Sequence, residues 1–289
     1  MKVLITGDEG FVGREFRRQL PRFAEVTGVD IKSGSDCREW FKWHSDRFDL
    51  VIHLAAIVGG RMKIEGAPIE VATDLAIDAD FWQWVMRTRP GRVVYFSSSA
   101  AYPTFLQVHG SEWRLSESDI NLAHVATPDA TYGWVKLTGE VLADYVRDEG
   151  IPVHVFRPFS GYGTDQDLDY PFPSFIARGL RHDDPFDVWG DGTQVRDFIH
   201  IRDVVRAVFA AIEQDYQQPL NLGTGVATSF NELAELVMAE CGYRGKIRHL
   251  GDRPVGCHFR VADVSNMRTV YEPEIDLREG VQMALRGIV

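Results

Sequence analysis

A glycine-rich turn directly follows the first apolar segment of the chain. Residues 3–13 read Val-Leu-Ile-Thr-Gly-Asp-Glu-Gly-Phe-Val-Gly. Glycines in this arrangement let the backbone turn tightly between a strand and a helix and approach phosphate oxygens closely. The helix that follows offers free amides and the positive end of its dipole to an anion. The turn therefore predicts a dinucleotide pyrophosphate site, with candidate residues Gly7, Gly10, Phe11, Val12 and Gly13.

Short apolar segments alternate with longer amphipathic segments through the first half of the chain. Leu50–Leu54 is apolar on both faces, as the strands of a buried parallel sheet are. Alternating β and α units predict an α/β fold with a doubly wound parallel sheet. The predicted strands are Lys2–Thr6, Glu25–Val29, Leu50–Leu54, Arg92–Ser97 and Val153–Arg157, and the predicted helices are Gly10–Leu20, Ile69–Thr88 and Thr131–Glu149.

The pattern changes after Pro158. Glycine, proline and aromatic residues are dense between residues 161 and 192, and the regular alternation stops. Further elements are expected at Arg202–Gln214, Ser229–Cys241 and Leu277–Leu285 (helices) and near Leu220–Leu222 (a strand). We therefore expect a Rossmann domain over residues 1–160, with a strand returning near residues 197–223. Residues 161–289 are expected to form a smaller C-terminal lobe that mainly binds substrate.

Composition excludes several classes of partner. The net charge is -11 and no cluster of Lys and Arg offsets it, which argues against nucleic acid. The three cysteines are scattered and show no metal-ligand spacing, so neither a metal site nor a disulfide framework is expected. The apolar run at the start is too short for a signal peptide, and no stretch approaches the ~18 apolar residues of a membrane span. We expect a cytoplasmic protein.

An acidic residue ends the second predicted strand. Asp30 lies seventeen residues after Gly13, where a carboxylate suits the hydroxyls of the adenosine ribose. It would also repel a 2′-phosphate, so NAD is favoured over NADP, although the nearby Lys32 moderates this preference. We interpret His53 as a structural histidine and Cys37 as a small wall residue. The further cofactor candidates are Asp30, Ile31, Asp36, Cys37, Leu54, Ala55, Ala56 and Pro158, together with Tyr132 and Lys136.

A tyrosine and a lysine are spaced by one helical turn in the third predicted helix. Tyr132 and Lys136 would share one face, and an ammonium there favours the phenolate, as would an oxidised nicotinamide. A hydroxyl from residues 97–99, at the end of the fourth strand, could bind the reacting oxygen. Such a pair behind a dinucleotide motif indicates an active site that moves a proton and a hydride.

These motifs together resemble the extended short-chain dehydrogenases/reductases of the nucleotide-sugar epimerase/dehydratase family. In that family the catalytic Ser/Thr lies four residues before the tyrosine that matches Tyr102, which points to Ser98, with Ser99 as the alternative. The resemblance implies that Tyr132 is the acid/base and that Lys136 orients the nicotinamide ribose and lowers the tyrosine pKa. The matching segments are Thr6–Gly13, His53–Ala56, Ser97–Tyr102, Tyr132–Lys136, Arg157–Phe159, Arg196–His200 and Asn221–Gly223.

Residues 190–197 resemble the family's loop whose arginine contacts the nucleotide diphosphate. A guanidinium can bind phosphate oxygens through two parallel hydrogen bonds. Two family positions are altered here: Ser160 replaces the asparagine after Arg-Pro-Phe, and the asparagine of the long fourth helix is replaced around Asp74. These changes leave the sugar and the nucleotide open. The candidate substrate residues are Val58, Ser160, Trp189, Arg196, Arg253 and Arg260.

Further departures bear on the type of reaction. The family's 4,6-dehydratases carry Asp-Glu directly after the catalytic Ser/Thr, where this chain has Ser99 and Ala100. Residues 55–60 and 102–103 are similar to GDP-fucose synthase and GDP-mannose 3,5-epimerase. Those enzymes use a cysteine where Ala100 stands, and no histidine lies near residues 172–175 to act as its partner. Dehydration and proton exchange at C3 and C5 are therefore disfavoured.

The remaining chemistry needs only hydride transfer and one phenol. The leading hypothesis is an NAD-dependent NDP-sugar epimerase that transiently oxidises a sugar carbinol, most simply at C4. The alternative is an NDP-4-keto-sugar reductase similar to GDP-fucose synthase. A nucleotide-binding scaffold without catalysis is a third hypothesis, which the presence of Ser98, Tyr132 and Lys136 disfavours. The resemblance also implies a homodimer in which Ile69–Thr88 and Thr131–Glu149 pair across a two-fold axis as a four-helix bundle.

Overall fold

The computed structural model describes residues 1–287, and its strands lie between residues 2 and 260. In chain order they are β1 (Lys2–Thr6), β2 (Glu25–Val29), β3 (Leu50–His53), β4 (Val93–Phe96), β5 (Val153–Pro158), β6 (Ser160–Tyr162), β7 (Phe186–Trp189), β8 (Val195–Arg196), β9 (Phe198–His200), β10 (Leu220–Leu222), β11 (Thr228–Ser229), β12 (Ile247–Leu250) and β13 (Phe259–Arg260).

Eleven α-helices lie between residues 11 and 285. In chain order they are α1 (Phe11–Gln19), α2 (Cys37–Trp43), α3 (Arg61–Gly66), α4 (Pro68–Val71), α5 (Thr73–Thr88), α6 (Ala130–Asp148), α7 (Pro171–Leu180), α8 (Ile201–Glu213), α9 (Phe230–Glu240), α10 (Ser265–Val270) and α11 (Leu277–Leu285). No helix within residues 1–287 is long and apolar enough to cross a membrane.

Six parallel strands form the central sheet in the order β10-β5-β4-β3-β1-β2. Helices α1 and α8 pack on one face, and α2, α5 and α6 pack on the other. Strands β3 and β4 are buried along their whole length because helices cover both faces. The doubly wound fold is confirmed. All carboxyl ends of these strands meet at one edge, where ligands bind in such folds.

The predicted elements of the first half are present with small differences in their ends. The predicted helix Ile69–Thr88 is wrong as one element, because it is divided at Ala72 into α4 and α5. Four helices were not predicted: α2, α3, α7 and α10. Proline occupies the first turn of α7, where its missing N–H costs no hydrogen bond, so a proline-rich segment still forms a helix.

The later strands are divided between the central sheet and three small sheets. Strand β10 joins β5 in parallel, as the sequence predicts for residues 220–222. The small sheets are β11-β8-β13, β12-β7 and β6-β9. A third apolar cluster, built mainly from α7, α9, α11 and β7, lies under these elements. The division near residue 160 stays a prediction, and residues 288–289 of the expected lobe lie outside the described residues.

Candidate functional site

The glycine turn lies at the carboxyl end of β1. Gly7 adopts a φ of +73° and donates its N–H to the carbonyl of Val29 at 2.8 Å. A Cβ at Gly13 would lie 2.3 Å from the carbonyl oxygen of Gly7, so the helix can approach the turn only without a side chain there. Gly10 caps α1 and has no side chain to bind the first-turn amides. These amides fit a pyrophosphate.

The carboxylate of Asp30 is fixed at the end of β2, one strand away. Its Oδ2 accepts the N–H of Glu9 at 3.0 Å, and its Oδ1 accepts the N–H of Lys32 at 2.8 Å. Each oxygen keeps a lone pair for a ribose hydroxyl. The glycine turn and the acidic strand end are thus joined by a hydrogen bond, and they lie side by side, as the sites for a pyrophosphate and its adenosine ribose do in dinucleotide-binding folds.

The other cofactor candidates predicted near the adenine differ in how far they are exposed. Ile31 is exposed, and Asp36 caps α2 while its carboxylate binds Arg38 at 2.6 Å. Cys37 is buried in an apolar cluster, and burial raises the pKa of its thiol to about 12. The thiol is therefore unreactive at neutral pH, in agreement with its interpretation as a wall residue.

A buried hydrogen-bond network supports the next strand end, where Leu54, Ala55 and Ala56 follow β3. His53 Nε2 lies 3.2 Å from a carboxylate oxygen of Asp78, so this nitrogen carries the proton. Thr6 then donates its hydroxyl to His53 Nδ1 at 2.7 Å, and Tyr95 donates to the other oxygen of Asp78 at 2.6 Å. Both nitrogens of His53 are thus engaged, as expected for a structural histidine.

The structure brings Ser98, Tyr132 and Lys136 together. Tyr132 is half-buried on α6 and hydrogen-bonds to Ser98, whereas Ser99 is buried in the 3₁₀ turn Ser99–Ala101. The Lys136 ammonium lies 5.7 Å from the centre of the Tyr132 ring. A Cβ at Gly133 would lie 2.4 Å from the carbonyl of Ala100, so this glycine lets α6 approach the serine turn.

Burial raises the pKa of Tyr132, and the charge of Lys136 and the Ser98 hydrogen bond only partly oppose this rise. Burial lowers the pKa of Lys136, but the charges of Tyr132, Asp78 and Asp74 outweigh it and raise that pKa overall. At neutral pH the pair is therefore a neutral phenol beside an ammonium. The charge of Lys136 does lower the pKa of Tyr132, as expected. Burial raises this pKa by more, so the pKa of Tyr132 is raised overall.

Three arginines gather around Asp129, the residue that caps α6. Arg61 binds both carboxylate oxygens of Asp129 at 2.9 and 2.8 Å, and Arg260 binds one of them at 2.7 Å. The Arg196 guanidinium lies 5.5 Å from the centre of the Phe230 ring. The charges of Arg61 and Arg260 lower the pKa of Arg196, and the charge of Asp129 raises it. The cluster carries excess positive charge and is suited to a diphosphate.

The remaining substrate candidates are divided between two places. The Arg253 guanidinium lies 5.8 Å from the centre of the Trp189 ring. Val58 is exposed before α3, and Ser160 begins β6 directly after Pro158 and Phe159. Sequence reasoning missed Arg61 and Asp129, along with the buried Asp78. A signal for Arg61 was its position directly after the glycine pair at residues 59–60.

The chain is similar to several known proteins. The model of the NAD dependent epimerase/dehydratase family matches residues 3–223. A dTDP-4-dehydro-6-deoxy-D-allose reductase from Streptomyces sp is 31% identical, over 98% of this chain and 95% of that protein. GDP-mannose 3,5-epimerase from Arabidopsis thaliana is 27% identical, over 98% and 81%. The solved structure of MoeE5 with UDP-glucose and NAD has 28% identity, a TM-score of 0.82 and coverage of 99% and 98%.

Proposed function

Because the chain belongs to the NAD dependent epimerase/dehydratase family, we propose that it is an NAD-dependent NDP-sugar epimerase that transiently oxidises a sugar carbinol, most simply at C4. The observation that carries this proposal is the placement of Ser98, Tyr132 and Lys136 at the same sheet edge as the glycine turn and Asp30. MoeE5, which is similar in fold and sequence, binds NAD and UDP-glucose.

Bound NAD would supply the acceptor for the hydride of the carbinol carbon and the donor for its return. As the phenolate, which Lys136 and an oxidised nicotinamide favour, Tyr132 removes the hydroxyl proton of the sugar as the carbonyl forms, and it gives this proton back as the carbonyl is reduced. Ser98 hydrogen-bonds the reacting oxygen, and Lys136 holds the nicotinamide ribose and stabilises the phenolate. The glycine turn holds the pyrophosphate, and Asp30 holds the adenosine ribose.

In this proposal the diphosphate of the substrate is bound by Arg61, Arg196 and Arg260. Its nucleotide contacts Trp189 and Arg253. We further propose that these residues belong to a smaller lobe, mainly over residues 161–289, although Arg61 comes from the first part of the chain. The positive charge of the arginine cluster supports this assignment, because Asp129 and Glu65 neutralise only two of its three arginines.

The test is turnover of NDP-sugars by the purified protein without added nicotinamide. A thermal-shift panel of UDP-, GDP-, CDP- and dTDP-sugars first selects the nucleotide, because a bound ligand stabilises the folded state. The proposal expects bound NAD in the purified protein and conversion of one sugar into its C4 epimer. Consumption of one NADH per sugar converted would reject the epimerase.

A 4-keto-sugar reductase is the second candidate, and one specific observation favours it. The relative with 31% identity is named a reductase of a dTDP-4-dehydro sugar. The same residues would serve, with Tyr132 giving its proton to the carbonyl oxygen. Stoichiometric oxidation of added NADH or NADPH in the presence of a 4-keto sugar identifies this activity.

A homodimer through α5 and α6 is also proposed, and a cytoplasmic location stays a prediction. Trp82, Met86 and Leu142 line an open groove between the two helices, and Tyr145 beside it is 66% exposed. The indole nitrogen of Trp82 is buried without a hydrogen-bond partner among the described residues. Light scattering should give the mass of two chains, and a monomer at micromolar concentration would refute the dimer.

A further inference from the structure

Two of the three clustered arginines share one carboxylate. One nitrogen of Arg61 donates to both oxygens of Asp129, at 2.9 and 2.8 Å, and Arg260 donates to one of these oxygens at 2.7 Å. The side chain of Asp129 is 9% exposed, and those of Arg260 and Arg61 are 12% and 26% exposed. Because water is partly excluded from these ion pairs, they are stronger than pairs on an open surface.

The Asp129 carboxylate extends from a backbone that is fixed on both sides. The N–H of Asp129 donates to the carbonyl of Ala100 at 2.9 Å, and its own carbonyl accepts the N–H of Gly133 at 3.0 Å. Burial raises the pKa of Asp129, but the charges and hydrogen bonds of Arg260 and Arg61 outweigh it and lower that pKa overall. The carboxylate is therefore ionised at neutral pH, and its hydrogen bonds are made with the two guanidinium groups.

The two arginines differ in their other supports. Arg260 also donates to the side-chain oxygen of Gln107 at 2.5 Å, and the amide of Gln107 is bound in turn to two backbone carbonyls. Arg61 also binds Glu65, which lies on the same short helix, α3. Asp129 thus joins the mobile end of an arginine on α3 to an arginine that another part of the fold holds in place.

The third arginine of the cluster is bound differently. Arg196 donates to two backbone carbonyls, those of Val195 at 2.8 Å and Val255 at 3.2 Å. A carbonyl is a neutral acceptor, so these bonds leave the positive charge of Arg196 available to an anion. Phosphate oxygens accept guanidinium hydrogen bonds in the same geometry as carboxylate oxygens. A diphosphate attracted to Arg196 therefore meets two further guanidinium groups that already bind an anion of the same kind.

We propose that Asp129 is a positioning residue that acts as an internal substitute for the substrate diphosphate: it holds Arg61 and Arg260 together and releases them when a nucleoside diphosphate binds. This inference rests on the proposed function, which assigns these arginines to the diphosphate. The carboxylate opposes the mutual repulsion of the two cations, but its hydrogen bonds with them must be exchanged for bonds to phosphate. Asp129 therefore lowers the affinity of the site for a nucleoside diphosphate.

The test is calorimetric titration of the NAD-loaded protein with free UDP, GDP, CDP and dTDP, followed by use of the one that the wild type binds most tightly. Asp129→Asn should bind it about tenfold more tightly, which is the scale of one hydrogen bond to a charged group. Damage to a site does not raise its affinity, so this gain separates competition from a merely structural role. Asp129→Ser, which also removes the charge, replaces the first variant if that variant does not fold.

Asp144→Asn is the matched control, because Asp144 also lies on α6 and pairs with an arginine, Arg147. It changes the net charge equally, at a distance of about 20 Å along the helix from Asp129. The affinity for the nucleoside diphosphate should stay unchanged in this variant. Unchanged or weaker binding in the Asp129 variant overturns the inference.

A double-mutant cycle tests the exchange itself. Arg61→Gln should weaken binding of the nucleoside diphosphate by a larger factor in the Asp129→Asn protein than in the wild type, because no carboxylate then competes for the guanidinium. Equal factors in the two backgrounds would contradict the exchange.

The outcomes also separate this inference from the proposed function. Tighter binding in Asp129→Asn, with no NDP-sugar turnover by the wild type, would refute the proposed function and leave this inference standing. Turnover by the wild type, with an affinity that does not respond to Asp129, would do the reverse. Absence of any nucleoside diphosphate binding would contradict the assignment of the arginines and this inference with it.

Discussion

Arg157 binds Glu140 through two hydrogen bonds in the interior of the protein, at 3.0 Å to one carboxylate oxygen and 2.6 Å to the other. Both side chains are 2% exposed. Glu140 lies on α6 with Tyr132, and Arg157 lies on β5, so the pair ties the helix that carries Tyr132 to the sheet. Ser97 and Tyr102 complete the polar environment of the pair.

Removing one partner of this pair should destabilise the protein strongly. Glu140→Gln leaves a buried guanidinium without its counter-charge, and such a change costs about 3–5 kcal/mol. The free energy of unfolding in urea measures the loss. Asp187→Asn is the control, because Asp187 pairs with an exposed arginine, Arg248, and should cost less than about 1 kcal/mol. Equal losses in the two variants would contradict this account of α6.

Cofactor choice should depend on Asp30. Asp30→Asn keeps the shape of the side chain but replaces a charged acceptor of the ribose hydroxyls by a neutral one. Because hydrogen bonds to charged groups contribute about 1.5–3 kcal/mol, NAD should bind at least tenfold more weakly, and the preference over NADP should narrow. Binding titrations with both cofactors measure this. Asp49→Asn, at the opposite edge of the sheet, should change neither affinity; NAD binding unaffected by Asp30→Asn would reject the ribose contact.

Substrate affinity should depend on Arg61, which sequence reasoning did not select. Arg61→Gln removes one cation of the cluster around Asp129, so the KM for the NDP-sugar should rise about tenfold with little change in kcat. Inhibition by the free nucleoside diphosphate should weaken in parallel. The surface variant Arg248→Gln should change neither constant. An unchanged KM in Arg61→Gln would remove this residue from the diphosphate site.

The free energy of unfolding should decrease as the pH is lowered, because His200 becomes protonated. Its Nδ1 accepts the N–H of Arg202 at the start of α8, so an imidazolium would break this cap. Burial lowers the pKa of His200 to about 4, against about 6.5 for the unfolded chain. The unfolded state therefore binds more protons between these values. Stability is complete above pH 6.5 and falls by about 3 kcal/mol as the pH decreases to 4.

The variant His200→Asn tests this, since asparagine can cap the helix without titrating. Urea unfolding of both proteins from pH 7.5 to 4.5 gives the comparison. The wild-type protein should lose more stability over this range than the variant does, and parallel pH curves would disprove the role of His200.

The sequence allowed the sheet and its functional edge to be predicted because those signals are local. An apolar run, the glycines at 7, 10 and 13, and an acidic residue after the second strand lie within the first 30 residues. Tyr132 and Lys136 are one turn apart on one helix. At this edge, only the choice between Ser98 and Ser99 required the family resemblance. The two residues are chemically identical, and they differ only in the direction in which each side chain points.

The arginine cluster was only partly predictable, because its members are distant in sequence. Arg61, Asp129 and Arg260 come from three separate segments, and only the tertiary fold makes them neighbours. The burial of Asp74 and Asp78 on α5 was likewise not predictable from the sequence. An aspartate in an amphipathic pattern is ordinarily assigned to the solvent face. Asp78 is buried instead, and its carboxylate is stabilised there by hydrogen bonds to His53 and Tyr95.

The most direct test of the whole account is the turnover of Tyr132→Phe with NAD bound. The ring remains and only the hydroxyl is lost, which we propose exchanges the proton, so NAD affinity should stay close to that of the wild type. The NDP-sugar turnover number should fall by about 10²- to 10⁴-fold, the usual contribution of a general acid/base. A turnover number within a few fold of the wild type, at unchanged NAD content, would contradict the assignment of Tyr132 as the acid/base.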